Sequence, residues 1–181
     1  MSITKLSNFD ISTISKDTVF VLDTNVLYYV HSGYLLANST EFLSYSNLIQ
    51  SIMSHGYTIK ISALSIQELL FSIENKEYQL YWKTNGLNPK KYTKKDYRKD
   101  PIHRKNVKSK FKTVLMELNI YTQEDASIDL SMISCYVDTL EKHCMDPVDH
   151  FLSDNFDNSK TIYVSNDTDF QSLSKIQVLT A

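Results

Sequence analysis

An α/β fold with a central, mainly parallel sheet of five strands is what this sequence predicts, and three observations carry it. Short apolar, β-branched runs such as VFVL (19–22) and TIYVS (161–165) alternate with longer stretches whose apolar residues recur at helical spacing. The 181 residues, 42% hydrophobic and 22% charged, suffice for one well-buried domain and are too few for two of ordinary size. Only three Gly and three Pro are present, which argues against collagen-like repeats and long disordered loops.

Each element has its own warrant. Val19 to Leu22 is a buried strand of four apolar residues. Asn25 to Val30 follows as a short helix. In residues 41–54, Phe42, Tyr45, Leu48, Ile49 and Ile52 form a helical stripe, and Gly56 ends it. Tyr57 to Ser62 alternates and is β-branched, a second strand. A helix beginning at Ser65 carries Leu69, Leu70, Ile73 and Tyr81. The turn pairs Asn85-Gly86, Asn88-Pro89 and Asp100-Pro101 then mark a segment outside the core. From Arg104 a helix resumes with Val107, Phe111, Val114, Leu115 and Leu118 on one face. Asn119 to Thr122 is a weak third strand, and Ile128 to Lys142 is helical by period. Asp146 and Pro147 open another helix. Thr161 to Ser165 and Ile176 to Leu179 are the fourth and fifth strands.

Several function classes drop out. Cys135 and Cys144 have no paired spacing, and the N-terminus lacks the charged start and apolar stretch of a secretory signal, so a reducing cytoplasm is expected. No apolar run approaches ~20 residues, so no membrane span is expected. There is no Gly-rich phosphate loop and no Ser nucleophile elbow. The five histidines show no metal-ligand spacing.

The acids are better placed. In parallel α/β sheets, sites gather beyond the carboxyl ends of the strands, where strand order reverses. Asp23 ends the first strand, Glu68 follows the second, and Asp167 and Asp169 follow the fourth in VSNDTDF. Asp146 and Asp149 lie in MDPVDHF, in the first turn of the helix that leads to that strand. Each has a structural explanation. Asp23 suits a helix cap, Glu68 sits at capping-box spacing from Ser65, and Asp146 precedes Pro147 as an N-cap. Asp149 fits the first-turn dipole, and Asp167 and Asp169 fit turns. The convergence has its own physical consequence. Two carboxylates ~5 Å apart at an effective dielectric near 20 repel by roughly 3 kcal/mol, so a cluster calls for raised pKa values or a divalent cation. Oxygen donors without organised His or Cys point to Mg²⁺ or Mn²⁺.

In order, spacing and strand context, LDTNVL, the acid in SIQELL, DHFL and VSNDTDF resemble the PIN-domain nucleases, whose members include toxin-like ribonucleases. The resemblance covers roughly 18–75 and 113–180. It implies a PIN-like three-layer α/β/α sandwich and a metal-dependent endoribonuclease that hydrolyses phosphodiester bonds in RNA, leaving 5′-phosphate and 3′-hydroxyl ends. Carried over residue by residue, Asp23, Glu68, Asp149 and Asp167 are the catalytic metal-binding acids and Asp169 is an outer one. Asn25 and Ser165 brace the first and last acids, and Asp146 competes with Asp149 for the third place. The resemblance also allows an antitoxin or other protein regulator as partner, and a homodimer.

Charge is distributed unevenly. Residues 76–112 hold 13 of the 19 Lys and Arg against three acids, a local balance of +10, and the rest of the chain stands at −12. Residues 1–181 are read as one domain with this stretch as a basic insertion. Lys90, Lys91, Lys94, Lys95, Arg98 and Lys99, among Tyr92 and Tyr97 and near Trp82, suit a nucleic-acid backbone and unpaired bases. A solvated loop, or a dock for an acidic partner, explains the same run. The alternative to a nuclease is a non-catalytic RNA- or protein-binding module that retains the fold. A haloacid-dehalogenase-type phosphohydrolase needs a second Asp two residues after Asp23, where this chain has Asn25.

Overall fold

The structure, a computed structural model, describes residues 2–124, 130–139, 160–167 and 177–181. Among these residues six strands form one all-parallel sheet: β1 (Ser2–Lys5), β2 (Val19–Leu22), β3 (Thr58–Ser62), β4 (Thr122–Glu124), β5 (Thr161–Val164) and β6 (Gln177–Thr180). Their order is β1-β6-β5-β2-β3-β4. In the central pair, Val19 lies opposite Thr161 and Leu22 opposite Val164. Every residue of β5 is buried, as are Phe20, Val21 and Leu22 of β2. Burial without alternation means that both faces of these strands are covered, the signature of a parallel sheet between helical layers.

The expected fold class stands, with one strand added and one moved. Ser2–Lys5 was not foreseen because an edge strand pairs through its backbone alone, here along β6 from Ser2 opposite Gln177 to Lys5 opposite Thr180. The third expected strand, Asn119 to Thr122, begins later, because Asn119 is the C-cap of the preceding helix.

Helices α1 (Thr24–His31), α2 (Thr40–Ser54) and α3 (Ala63–Thr84) follow the strands as their patterns dictate. Ser39 caps α2, accepting from Phe42 N at 3.3 Å, and Tyr45, Leu48, Ile49 and Ile52 make its buried stripe. Gly56 closes it at φ 76°, a conformation glycine adopts without strain. The core joins Phe20 and Leu22 to Val26, Leu27, Ile59, Ile61, Leu69 and Ile73. Each fully buried side chain of this size stabilises by about 1.5–3 kcal/mol. Phe20 also meets Phe9 and Tyr57 edge-to-face, at centroid distances of 6.2 and 5.6 Å.

At 22 residues, α3 is ~33 Å long and outruns the sheet. Its far end packs with α4 (Lys94–Lys99) and α5 (Pro101–Leu118), so most of the basic stretch is helical. Asp100 caps α5, accepting from Ile102 N at 2.7 Å with Pro101 in the first turn, which starts that helix ahead of Arg104. Tyr97 is buried, stacked on His103 at 4.5 Å and edge-on to Tyr78 at 5.8 Å. It is therefore packing inside this arm rather than a surface for bases. Among the described residues no helix is long and apolar enough to cross a membrane. A further helix, α6 (Leu130–Thr139), lies within the stretch expected to be helical from Ile128 to Lys142, the ends of which fall outside the described residues.

Candidate active site

The strand order reverses at β2 and β5: the chain leaves β2 toward β3 and β4, then returns to the other side for β5 and β6. Such a reversal opens a crevice at the carboxyl ends of the two strands. Asp23 stands there, its backbone N–H donating to the Val164 carbonyl at 3.1 Å and its own carbonyl starting α1.

Asp23 does cap α1, through Thr24 N at 2.6 Å. The cap engages Oδ1 alone. Oδ2 accepts from Asn25 Nδ2 at 2.6 Å and from the Ser165 hydroxyl at 2.6 Å. Asn25 Oδ1 in turn accepts from Asn166 N at 3.0 Å, and Ser165 Oγ accepts from Asp167 N at 2.9 Å. The start of α1 and the residues after β5 are thus sewn together around one carboxylate. Asp23 is only 6% exposed. Burial pushes its pKa up to about 6, with Glu68 and Asp167 adding to the rise and the Ser165 and Thr24 hydrogen bonds opposing it.

Glu68 arrives from the other flank of β2. Ser62, not Ser65, is the N-cap of α3 and accepts from Ser65 N at 2.9 Å, so the cap lies three residues earlier than expected. Glu68 then lies in the second turn and takes no part in a capping box. Its Oε2 accepts from the Thr24 hydroxyl at 2.7 Å, tying it to the residue beside Asp23.

These groups line one cleft of about 500 Å³, which Asp23, Thr24, Asn25, Glu68 and Asp167 enclose at one end. Tyr28 and Tyr29 form one wall. Ser72, Asn75, Lys76 and Gln79 form the other along α3. The structure therefore brings together Asp23, Glu68, Asp167 and Asn25, with Ser165 buried beneath them. Asp146, Asp149 and Asp169 lie outside the described residues. Among the described residues, no three His, Cys, Asp or Glu side chains stand close enough to hold a metal ion by themselves.

The six cations expected to bind nucleic acid, Lys90, Lys91, Lys94, Lys95, Arg98 and Lys99, do not line this cleft. Lys94 and Arg98 pair with Glu74, and Lys99 pairs with Asp96, while Lys90, Lys91 and Lys95 are exposed. Among the described residues the cleft's cation is Lys76, which sequence reading passed over with Thr24, Ser72, Asn75 and Gln79. Their signal was the helical period: positions 72, 75, 76 and 79 fall on the face of α3 that carries Glu68.

No family model matches the chain, and no curated protein does either. Among solved structures, the chain is similar to one in the crystal structure of VapBC2 from Rickettsia felis bound to a DNA fragment from their promoter. The two align with a TM-score of 0.54 at 15% identity, over 90% of this chain and 98% of that one. The likeness is one of fold. It extends to nearly the whole of both chains, so the arrangement of sheet and helices that forms the cleft is not peculiar to this sequence.

Proposed function

We propose that this chain is an Mg²⁺- or Mn²⁺-dependent endoribonuclease of PIN-domain type, cutting phosphodiester bonds in RNA. One observation carries the reading. Carboxylates from three separate segments, after β2, in α3 and after β5, meet in a single cleft at the point where the sheet reverses. The donor set fits a hard divalent cation, since among the described residues the cleft offers carboxylate, hydroxyl and amide oxygens and neither sulfur nor imidazole. Asp23, Glu68 and Asp167 would hold it only together with Asp149, the proposed fourth acid, with Asp169 outside it, because the three described acids do not form a metal-holding group by themselves. When bound, the ion supplies Lewis-acid charge that lowers the pKa of water and stabilises a leaving oxygen.

The chain's own part is positioning. Asn25 and Ser165 fix the plane of the Asp23 carboxylate, and Thr24 holds Glu68 against α1. Preorganised groups of this kind do not need to reorient as charge develops. Residual lone pairs on Asp23 and Glu68 remain for a ligand, because a carboxylate offers about four acceptor sites.

The resemblance to toxin-like ribonucleases, together with a shared architecture with VapBC2, supports a protein regulator as partner, this chain being toxin to an antitoxin. A second reading draws on a different observation. The described residues alone do not assemble a metal-holding group of three, which favours a binding module that keeps the fold without catalysis.

Labelled single-stranded RNA incubated with the protein in Mn²⁺, in Mg²⁺ and in EDTA, beside Asp23→Asn, separates the two. The nuclease reading expects metal-dependent cutting that Asp23→Asn abolishes. RNA binding by a folded protein, with no cutting and no metal-induced rise in melting temperature, would select the binding module.

A further inference from the structure

We propose that the face of α3 beyond Glu68 is a track for a single-stranded nucleic acid, in which Lys76 and Asn75 position a backbone phosphate and Tyr28 faces a base. The proposal rests on the nuclease reading of the acid end of the cleft and assigns the substrate path leading away from it.

Electrostatics sets the problem. Three carboxylates line the cleft and repel a polyanion, so the path needs a cation within the same cleft. Among the described residues Lys76 is the cation that lines it, and no ion pair engages it there. Its neighbours on the arm are otherwise occupied: Lys94 and Arg98 are held by Glu74, and Lys110 by Glu77 at 2.7 Å. The cleft thus draws its positive charge from the first residue of the basic stretch, on α3, and not from the dense run at 90–99.

Asn75 adds the geometry. Its Oδ1 accepts from Lys94 Nζ at 2.5 Å. A lysine can only donate, so this bond fixes which way the amide faces and leaves its two N–H donors for the cleft. An ammonium and an oriented amide side by side suit a phosphate. Gln79, one turn further along, continues the polar edge.

Spacing and the opposite wall agree. Lys76 lies eight residues after Glu68, about 12 Å along the helix axis. A stacked strand advances ~3.4 Å per nucleotide, so the phosphate held there is three or four nucleotides from the acids. Across the cleft Tyr28 is held by stacking on Tyr34, at 6.0 Å and 27°, and Tyr34 is pinned by donating to Glu77 Oε1 at 2.6 Å. A supported aromatic ring of this kind gives a base a surface to stack on without sequence preference.

The test compares wild type, Lys76→Gln and Lys76→Arg. Binding of a labelled single-stranded RNA is measured in EDTA across a salt series, and cleavage kinetics in Mg²⁺. Losing one phosphate contact on a single strand should reduce the slope of log affinity against log salt by about 0.7 in Lys76→Gln, with Lys76→Arg retaining the wild-type slope. KM should rise several-fold in Lys76→Gln with kcat little changed, the pattern of lost binding that is equal in ground and transition states. A wild-type slope and KM in Lys76→Gln overturn the track. The Mg²⁺-induced rise in melting temperature of wild type reports on the parent reading separately. Its absence, together with absence of cleavage, sinks the nuclease, whereas its presence with an unchanged slope sinks only the track.

Discussion

The Ser165 hydroxyl donates to Asp23 Oδ2 at 2.6 Å, joining the first residue past β5 to the first residue past β2 across 142 positions of sequence. Ser165 is fully buried, and its oxygen also accepts from Asn25 Nδ2 at 3.2 Å and Asp167 N at 2.9 Å. One donor and two acceptors are all that a hydroxyl has, so Ser165 is saturated. Replacing it by alanine leaves three polar groups short of a partner around a buried carboxylate. Ser165→Ala should destabilise the fold by about 1–3 kcal/mol. Urea unfolding would show a lower midpoint at unchanged m-value, and an unaltered midpoint would mean the network contributes nothing.

Asp23 gives the metal-free protein a pH dependence of defined sign. Its folded pKa is raised to about 6 from the ordinary 3.8 of an aspartate, chiefly by burial, so the folded state holds the proton over a range where the unfolded state has released it. Stability from this group is therefore present at low pH and declines as pH rises from about 4 through about 6. The full effect is ~3 kcal/mol, less whatever an amide loses against its donors. In EDTA, Asp23→Asn should gain on wild type across that window and hold a constant lead above it. Urea titrations at several pH values from 4 to 8 would reveal this, and a difference that does not vary with pH would contradict it.

How much of this was legible depended on what kind of force makes each feature. Strands such as Val19–Leu22 and Thr161–Val164 are dictated by burial, which writes itself into composition. Asp23, ending an apolar run, was conspicuous for the same reason. Features made by backbone pairing or by a shift of one helical turn were not. Ser2–Lys5 adds an edge strand by ladder hydrogen bonds that any side chains permit. Ser62 and Ser65 are both competent caps, and choosing the wrong one put Glu68 in a capping box that does not exist. A dense charge run likewise hid Tyr97, whose burial against His103 and Tyr78 needs three helices to be seen together.

The arm should respond to acid through Glu74. Arg98 holds this carboxylate in a fork, Nε to Oε1 at 2.8 Å and Nη2 to Oε2 at 2.5 Å, and Lys94 Nζ lies 3.0 Å away. The Arg98 hydrogen bonds, helped by Lys94, lower its pKa to about 2 against the cost of burial. Stability from a depressed carboxylate is present above its unfolded pKa and is lost as pH falls through the folded one, here from about 4.5 toward 2. Glu74→Gln should cost about 1–2 kcal/mol at pH 7 after allowance for solvent screening, and the cost should shrink across that acid window. Thermal melts of both proteins at pH 7, 4 and 3 measure it, and a cost that persists undiminished at pH 3 would assign the role of Glu74 to packing.

Thr24 offers the sharpest separation of site from fold. Its hydroxyl donates to Glu68 Oε2 at 2.7 Å, while its backbone N–H is the donor that Asp23 caps. Thr24→Val keeps the shape and the backbone bond and removes only the tether on Glu68. Since Glu68 is half-buried and water can replace the lost donor, the fold should give up only about 1 kcal/mol. Metal affinity should fall further, on the order of 10–100-fold, because a carboxylate that is no longer oriented must be ordered at the moment of binding. The melting temperature followed against Mg²⁺ concentration reads both effects, the first in the metal-free value and the second in the concentration at which the rise begins. Thr24→Ser, which keeps the hydroxyl, should restore the wild-type Mg²⁺ response. If Thr24→Val shifts the metal-free value and leaves the Mg²⁺ response where it was, the Thr24–Glu68 bond serves the packing of α1 on α3 and has no part in holding a metal.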